Sequence, residues 1–93
     1  MQLAIAVQQH EDLYFTNLSY NLLRIRKERN LSQEDMATLC NVERSKIGKM
    51  ENKRIDPRLT TLIALARGLN IDITELLKAP LEDQSQKNEN GSN

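Results

Sequence analysis

The chain has very few residues that carry covalent or metal chemistry. Among its 93 residues there is one cysteine, Cys40, and one histidine, His10. A single cysteine closes no internal disulfide, and a single histidine with no cysteine cluster builds no structural metal site. Small secreted folds of this size usually need such staples, so a reducing cytoplasm is the expected compartment. Aromatic side chains make up only 3% of the sequence. No apolar run, Leu3 to Val7 included, comes near the length of a membrane span. Leu3 to Val7 has no basic leader or small-residue cleavage site, so a signal peptide and a membrane partner are not expected. Also missing are a His/Cys/Asp constellation, a glycine-rich phosphate loop and carboxylates paired across a cleft. Catalysis, cofactor binding and a small-molecule ligand are therefore disfavoured.

The sequence does contain charge, and its distribution is uneven. The formal net charge is zero. Residues 17–54 nevertheless hold nine basic and five acidic side chains, a balance of +4, while residues 1–16 and 81–93 each carry −2. A basic centre between acidic ends suits a polyanionic partner, although charge alone reads equally well as a solvated surface.

Hydrophobic spacing predicts five helices. From Asn17 to about Arg29, Leu18, Leu22 and Ile25 fall on one helical face. Ser32 with Glu34 and Asp35 behind it reads as a helix start, with Leu31 stapled onto Met36. That short helix turns Met36, Ala37 and Cys40 inward and stops at Asn41, a residue that tolerates the left-handed conformation. A third helix from about Arg44 to Asn52 buries Ile47 and Met50. Asp56-Pro57 is expected to open a fourth, with Leu59, Leu62, Ile63 and Ala66 as its apolar stripe. Asp72 is expected to cap a fifth, brief helix, with Glu75 reaching back and Ile71 packing on Leu76. Residues 81–93, rich in Gln, Asn, Ser and acid, are expected to be disordered.

Residues 31–54, LSQEDMATLCNVERSKIGKMENKR, set two short helices around a tight turn, the second rich in Arg, Lys and Ser. This is a helix-turn-helix pattern. Ala37 is small where the helices would cross. The outward face of the second carries Arg44, Ser45 and Lys49, donors suited to guanine edges or phosphate oxygens.

With these elements in order, residues 17–77 resemble the phage repressor/Cro (XRE) helix-turn-helix family. The resemblance rests on Leu31-Ser32-Gln33, Met36-Ala37, Ile47 with Met50-Glu51-Asn52, Pro57, Leu62 with Leu65-Ala66, and Glu75-Leu76-Leu77. It implies an all-α, five-helix, lambda-repressor-like domain over residues 17–80, preceded by an extension over 1–16. It also implies a sequence-specific transcriptional regulator that binds double-stranded DNA as a homodimer on a palindromic operator. By this resemblance Arg44, Ser45 and Lys49 read bases, while Gln33, Lys46, Asn52, Lys53 and Arg54 hold the backbone. Arg26 and Glu51 form a structural ion pair, and Leu69, Ile71, Ile73 and Leu77 form the dimer surface. The alternative is an antitoxin that binds a toxin through its tails and represses its own operon.

Three residues depart from the family pattern. Asn41 replaces the usual turn glycine, and Glu43 stands where a Ser or Thr cap is usual. Gly48 lies inside the recognition helix, costing roughly 1 kcal/mol against alanine. It reads either as room for close approach to DNA or as an exposed position without a role. Cys40 reads as a buried structural thiol rather than a redox sensor. Leu3–Val7 reads equally as a strand, an added helix or a dimer arm, with Tyr14 and Phe15 covering the first helix.

Overall fold

The computed structural model describes residues 2–80, with side chains from residue 13 onward. The tail expected to be disordered, residues 81–93, lies outside the described residues. The order is α1 (Gln2–Glu28), α2 (Gln33–Cys40), α3 (Arg44–Glu51), α4 (Leu59–Leu69) and α5 (Thr74–Leu77). There is no strand among the described residues. Residues 2–16 therefore continue the first helix, whose start was expected at Asn17.

Four of the five helices end in the same way. Asn30, Asn41, Lys53 and Asn70 adopt the left-handed conformation, with φ of 56–57°. In each case the next residue's N–H donates five residues back: Leu31 to Arg26, Val42 to Ala37, Arg54 to Lys49 and Ile71 to Ala66, at 2.8–3.0 Å. These are Schellman closures, which satisfy orphan carbonyls and turn the chain sharply. In three of them the residue after the turn is apolar and packs on the core: Leu31, Val42 and Ile71. After α3 it is Arg54, which is exposed.

The core draws on every helix: Leu18, Leu22 and Ile25; Met36 and Cys40; Ile47 and Met50; Leu65, Ala66 and Leu69; and Leu76. In this frame α5 packs on α1, α4 packs on α2, and α3 touches both α1 and α2. Two buried asparagines bind the carbonyls at the end of α5. Asn17 donates to the Leu77 carbonyl at 2.9 Å, and Asn21 to those of Leu76 and Lys78 at 3.0 and 2.9 Å. Arg29 does the same for α4 through the Leu69 carbonyl at 2.7 Å.

Several expectations need correction. The fourth helix begins at Leu59, with Arg58 at the cap and no side-chain capping bond, rather than at Asp56-Pro57. Of its expected stripe, Ala66 is buried and Leu62 packs on the core beside Leu65 and Leu69, while Leu59 and Ile63 are 65% and 38% exposed. Asp72 does accept from the Thr74 N–H and hydroxyl, at 2.9 and 2.8 Å. Glu75, however, pairs with Lys78 at 2.9 Å instead of reaching back. Leu69 is wholly buried inside the subunit and offers nothing to a dimer surface. Of the two residues expected to cover the first helix, Tyr14 is 49% exposed and Phe15 is partly buried.

Candidate nucleic-acid interface

The second helix starts on a reciprocal cap. The Ser32 hydroxyl accepts from the Asp35 N–H at 2.9 Å, and the Asp35 carboxylate accepts from the Ser32 N–H at 3.0 Å. The Ser32 N–H, and after it the Ser32 hydroxyl, hold the Asp35 carboxyl below its ordinary value. Asn41 then turns the chain in three residues into α3, whose first-turn cap is weak: Glu43 makes no side-chain capping bond. Tertiary contact supplies what the cap does not, because Ile47 and Met50 are buried at 0% and 2% exposure against the core. With that side of α3 anchored, Arg44, Ser45, Lys46 and Lys49 are left exposed to solvent.

Glu51, at the end of α3, joins three helices. The Arg26 guanidinium on α1 donates to it twice, Nε to Oε2 at 2.7 Å and Nη2 to Oε1 at 3.2 Å. Arg26 Nη1 also donates to the Leu31 carbonyl at 2.9 Å, in the turn before α2. From α2, the Gln33 amide nitrogen donates to Glu51 Oε1 at 3.0 Å. Ser19 on α1 donates to the Glu51 main-chain carbonyl. The pair is largely enclosed, with side-chain exposures of 14% for Arg26 and 5% for Glu51.

The carboxylate also fixes which way the Gln33 amide faces. Its nitrogen must face Glu51, so its oxygen faces away and accepts from Arg44 Nη1 at 3.3 Å. A buried ion pair thus leads through one amide to an exposed guanidinium at the start of α3. The side chain missing at Gly48 would face this same amide. An added Cβ would stand 3.5 Å from it, an ordinary contact, so packing does not demand glycine there.

The loop after α3 carries the remaining cations. Asn52 is exposed and its amide donates back to the Gly48 carbonyl at 2.8 Å. Lys53 occupies the left-handed turn position, and Arg54 follows it into solvent. A concavity beside them is lined by Lys46, Ile55, Asp56, Pro57, Arg58 and Thr61. Arg58 belongs to this cationic edge and lies beyond the basic stretch of residues 17–54. The expected helix start at Pro57 sets Arg58 within the first turn, whereas it stands exposed at the cap of α4.

Ile73 and Leu77 line an apolar groove with Tyr14, Thr74 and Lys78. Ile71 is partly buried against the core. Among the described residues no group of three or more His, Cys, Asp or Glu could hold a metal, and no helix is long and apolar enough to cross a membrane. Cys40 is buried, and desolvation raises its thiol pKa against a smaller lowering by Arg29.

Five helices with a capped α2, a three-residue turn and a cationic α3 define a helix-turn-helix protein of the repressor type. Residues 22–76 match the helix-turn-helix family HTH_3, and the chain belongs to it. The control protein C.SmaI of Serratia marcescens is 39% identical over 74 residues, covering 80% of this chain and 83% of its own. A hypothetical transcription factor from Neisseria superposes with a TM-score of 0.70 at 27% identity, over 78% of this chain and 84% of that one. The restriction-modification controller C.Esp1396I, solved as a tetramer with its natural 35 base-pair operator, gives a TM-score of 0.59 at 26% identity. That alignment covers 70% of this chain and 96% of the controller.

Proposed function

We propose that the chain is a sequence-specific transcriptional regulator of the restriction-modification controller type, binding a two-fold symmetric operator as a homodimer. The observation that carries this reading is α3, anchored by Ile47 and Met50 with Arg44, Ser45 and Lys49 facing outward. In the major groove these three would meet base edges, with Arg44 suited to a guanine. Gln33, Lys46, Asn52, Lys53 and Arg54 would hold the flanking phosphates, and Arg58 extends the same edge.

Lys53 supports this reading through its backbone. A left-handed residue other than Gly or Asn costs roughly 1–2 kcal/mol, and the other three turns of this kind use Asn. Strain kept at one turn, where the side chain is a cation beside α3, points to a use for that cation. Similarity to C.SmaI over most of both chains favours the controller role over a phage repressor. The antitoxin alternative leaned on residues 81–93, outside the described residues. A regulator of this kind acts on DNA in the cytoplasm and needs neither cofactor nor catalysis.

Two subunits are needed on physical grounds, since one recognition helix reads too few bases to find a site in a genome. If each subunit neutralises about three phosphates, a log–log plot of affinity against salt should have a slope of roughly −5. Fluorescence anisotropy on DNA selected from a random pool measures it, and the selected consensus should be palindromic. A slope near zero would end the DNA-binding reading.

A further inference from the structure

We infer that Glu43 is a specificity-determining residue, a carboxylate that accepts from a cytosine amine in the major groove next to the guanine read by Arg44. This deepens the regulator reading above and rests on it.

The first observation is a cap that α3 forgoes. α2 starts on the reciprocal Ser32–Asp35 cap, and Asp72 accepts from the Thr74 N–H and hydroxyl before α5. Short polar side chains are the usual caps, and this chain uses them at both places. At the cap position of α3 stands Glu43, which makes no such bond. Its charge still complements the helix dipole, but aspartate would do that and cap as well. What glutamate adds is one methylene, and with it reach beyond the N–H groups of the first turn.

The second observation is that the carboxylate is free. Glu43 is exposed at the start of the helix that carries Arg44, Lys46 and Lys49. The ion pairs among the described residues join Arg24 to Glu28, Arg26 to Glu51 and Lys78 to Glu75. Glu43 belongs to none of them.

Position and chemistry then name the base. A recognition helix meets base edges with its N-terminal residues, and Glu43 directly precedes Arg44 there. An ionised carboxylate only accepts hydrogen bonds. In the major groove guanine offers two acceptors, and thymine an acceptor and a methyl group. Donors come from the amines of cytosine and adenine, and adenine sets its N7 acceptor beside the amine. Cytosine is therefore the base that Glu43 selects. On any other sequence the same charge meets acceptors or phosphates and is repelled, so it also weakens binding to wrong sites.

The test selects DNA from a random pool with the full-length wild type, Glu43→Gln and Glu43→Ser, and measures each on its selected sites by anisotropy. Serine restores a short polar cap, so folding is kept, as urea denaturation checks. The wild-type consensus should require a cytosine one base pair from the guanine that Arg44→Ala ceases to select. Replacing that cytosine by thymine should weaken wild-type binding at least tenfold. For Glu43→Ser the same replacement should matter less than threefold, and Glu43→Gln should shift the position toward adenine, which an amide can pair twice. The inference is overturned if both variants keep the wild-type consensus and bind selected and random DNA more tightly by one factor, since the carboxylate then only repels phosphates. A wild-type consensus with no required cytosine beside that guanine overturns it too, while the regulator reading stands. A wild type that selects no consensus at all overturns the regulator reading itself.

Discussion

At the scale of single residues, two glycines and one lysine separate what the fold requires from what the surface is used for. Gly68 lies where α4 crosses α2, and an added Cβ would stand 2.6 Å from the Cys40 Cα and 2.7 Å from its Sγ. The nearest atom belongs to the backbone, so the helices themselves would have to separate. Gly68→Ala should destabilise by about 2–3 kcal/mol. Gly48→Ala meets only an ordinary contact and gains helix propensity, so it should stabilise by up to about 1 kcal/mol. Urea denaturation of both variants checks the opposite signs. Lys53 is the reverse case, a residue whose backbone position suits another side chain. Lys53→Asn should raise stability by relieving the left-handed turn, yet weaken binding to all DNA sequences alike and flatten the salt slope. Arg44→Ala should instead cost about 1–3 kcal/mol on the selected operator and relax base preference at one position of each half-site. Anisotropy titrations on operator and random DNA distinguish the two. Equal losses on both DNAs for Arg44→Ala would remove it from base reading.

At the scale of elements, helix ends were partly legible in the sequence and helix starts less so. Ser32 and Asp35 form the expected cap because all its partners lie within four residues, where local geometry decides. The Asn-apolar pairs Asn30-Leu31, Asn41-Val42 and Asn70-Ile71 also end helices by local rules, although only Asn41 was read that way. Asp56-Pro57 misled because proline suits either the first turn or the loop before it. The choice here fell to Leu65 and Leu69, which must reach the core. Buried Asn17 and Asn21 gave no sequence signal, since their partners on α5 are 55 to 60 residues away. The candidate interface was legible as residue types at family spacing, but not the amide linking Glu51 to Arg44, and not Arg58. The two local acidic caps make the fold sensitive to acid. The Thr74 N–H, and after it the Thr74 hydroxyl, lower the Asp72 carboxyl, as Ser32 lowers Asp35. A lowered carboxyl adds stability that is complete above its ordinary value of 3.8 and is lost as pH falls through the lower, folded value. Asp35→Asn/Asp72→Asn should therefore flatten the fall in stability below about pH 4, measured by urea denaturation at stepped pH. An unchanged slope would mean that neither carboxylate is held by its cap.

At the scale of the whole molecule, α5 on α1 and α4 on α2 are two packed pairs, and α3 is the element in contact with both α1 and α2. The polar counterpart of that bridge is Glu51, which receives Arg26 from α1 and Gln33 from α2. Removing it leaves a guanidinium enclosed without its anion, and breaking a buried pair on one side costs about 3–5 kcal/mol. Arg26 keeps 14% exposure and its bond to the Leu31 carbonyl, which places the expected cost of Glu51→Ala at the lower end, about 3 kcal/mol. Replacing both partners by apolar residues of similar size, as in Arg26→Met/Glu51→Leu, should recover much of that loss, because no charge is then left unpaired. Stability and recognition should separate in this double variant. Its core can be whole, yet the Gln33 amide has lost the carboxylate that orients it, and Arg44 has lost a fixed acceptor. The double variant should fold nearly as stably as the wild type but discriminate less between selected and random DNA. Urea denaturation paired with anisotropy on both DNAs makes the measurement. Full discrimination in a stable double variant would confine Arg26 and Glu51 to holding the fold, and Arg44 would then find its geometry from DNA alone.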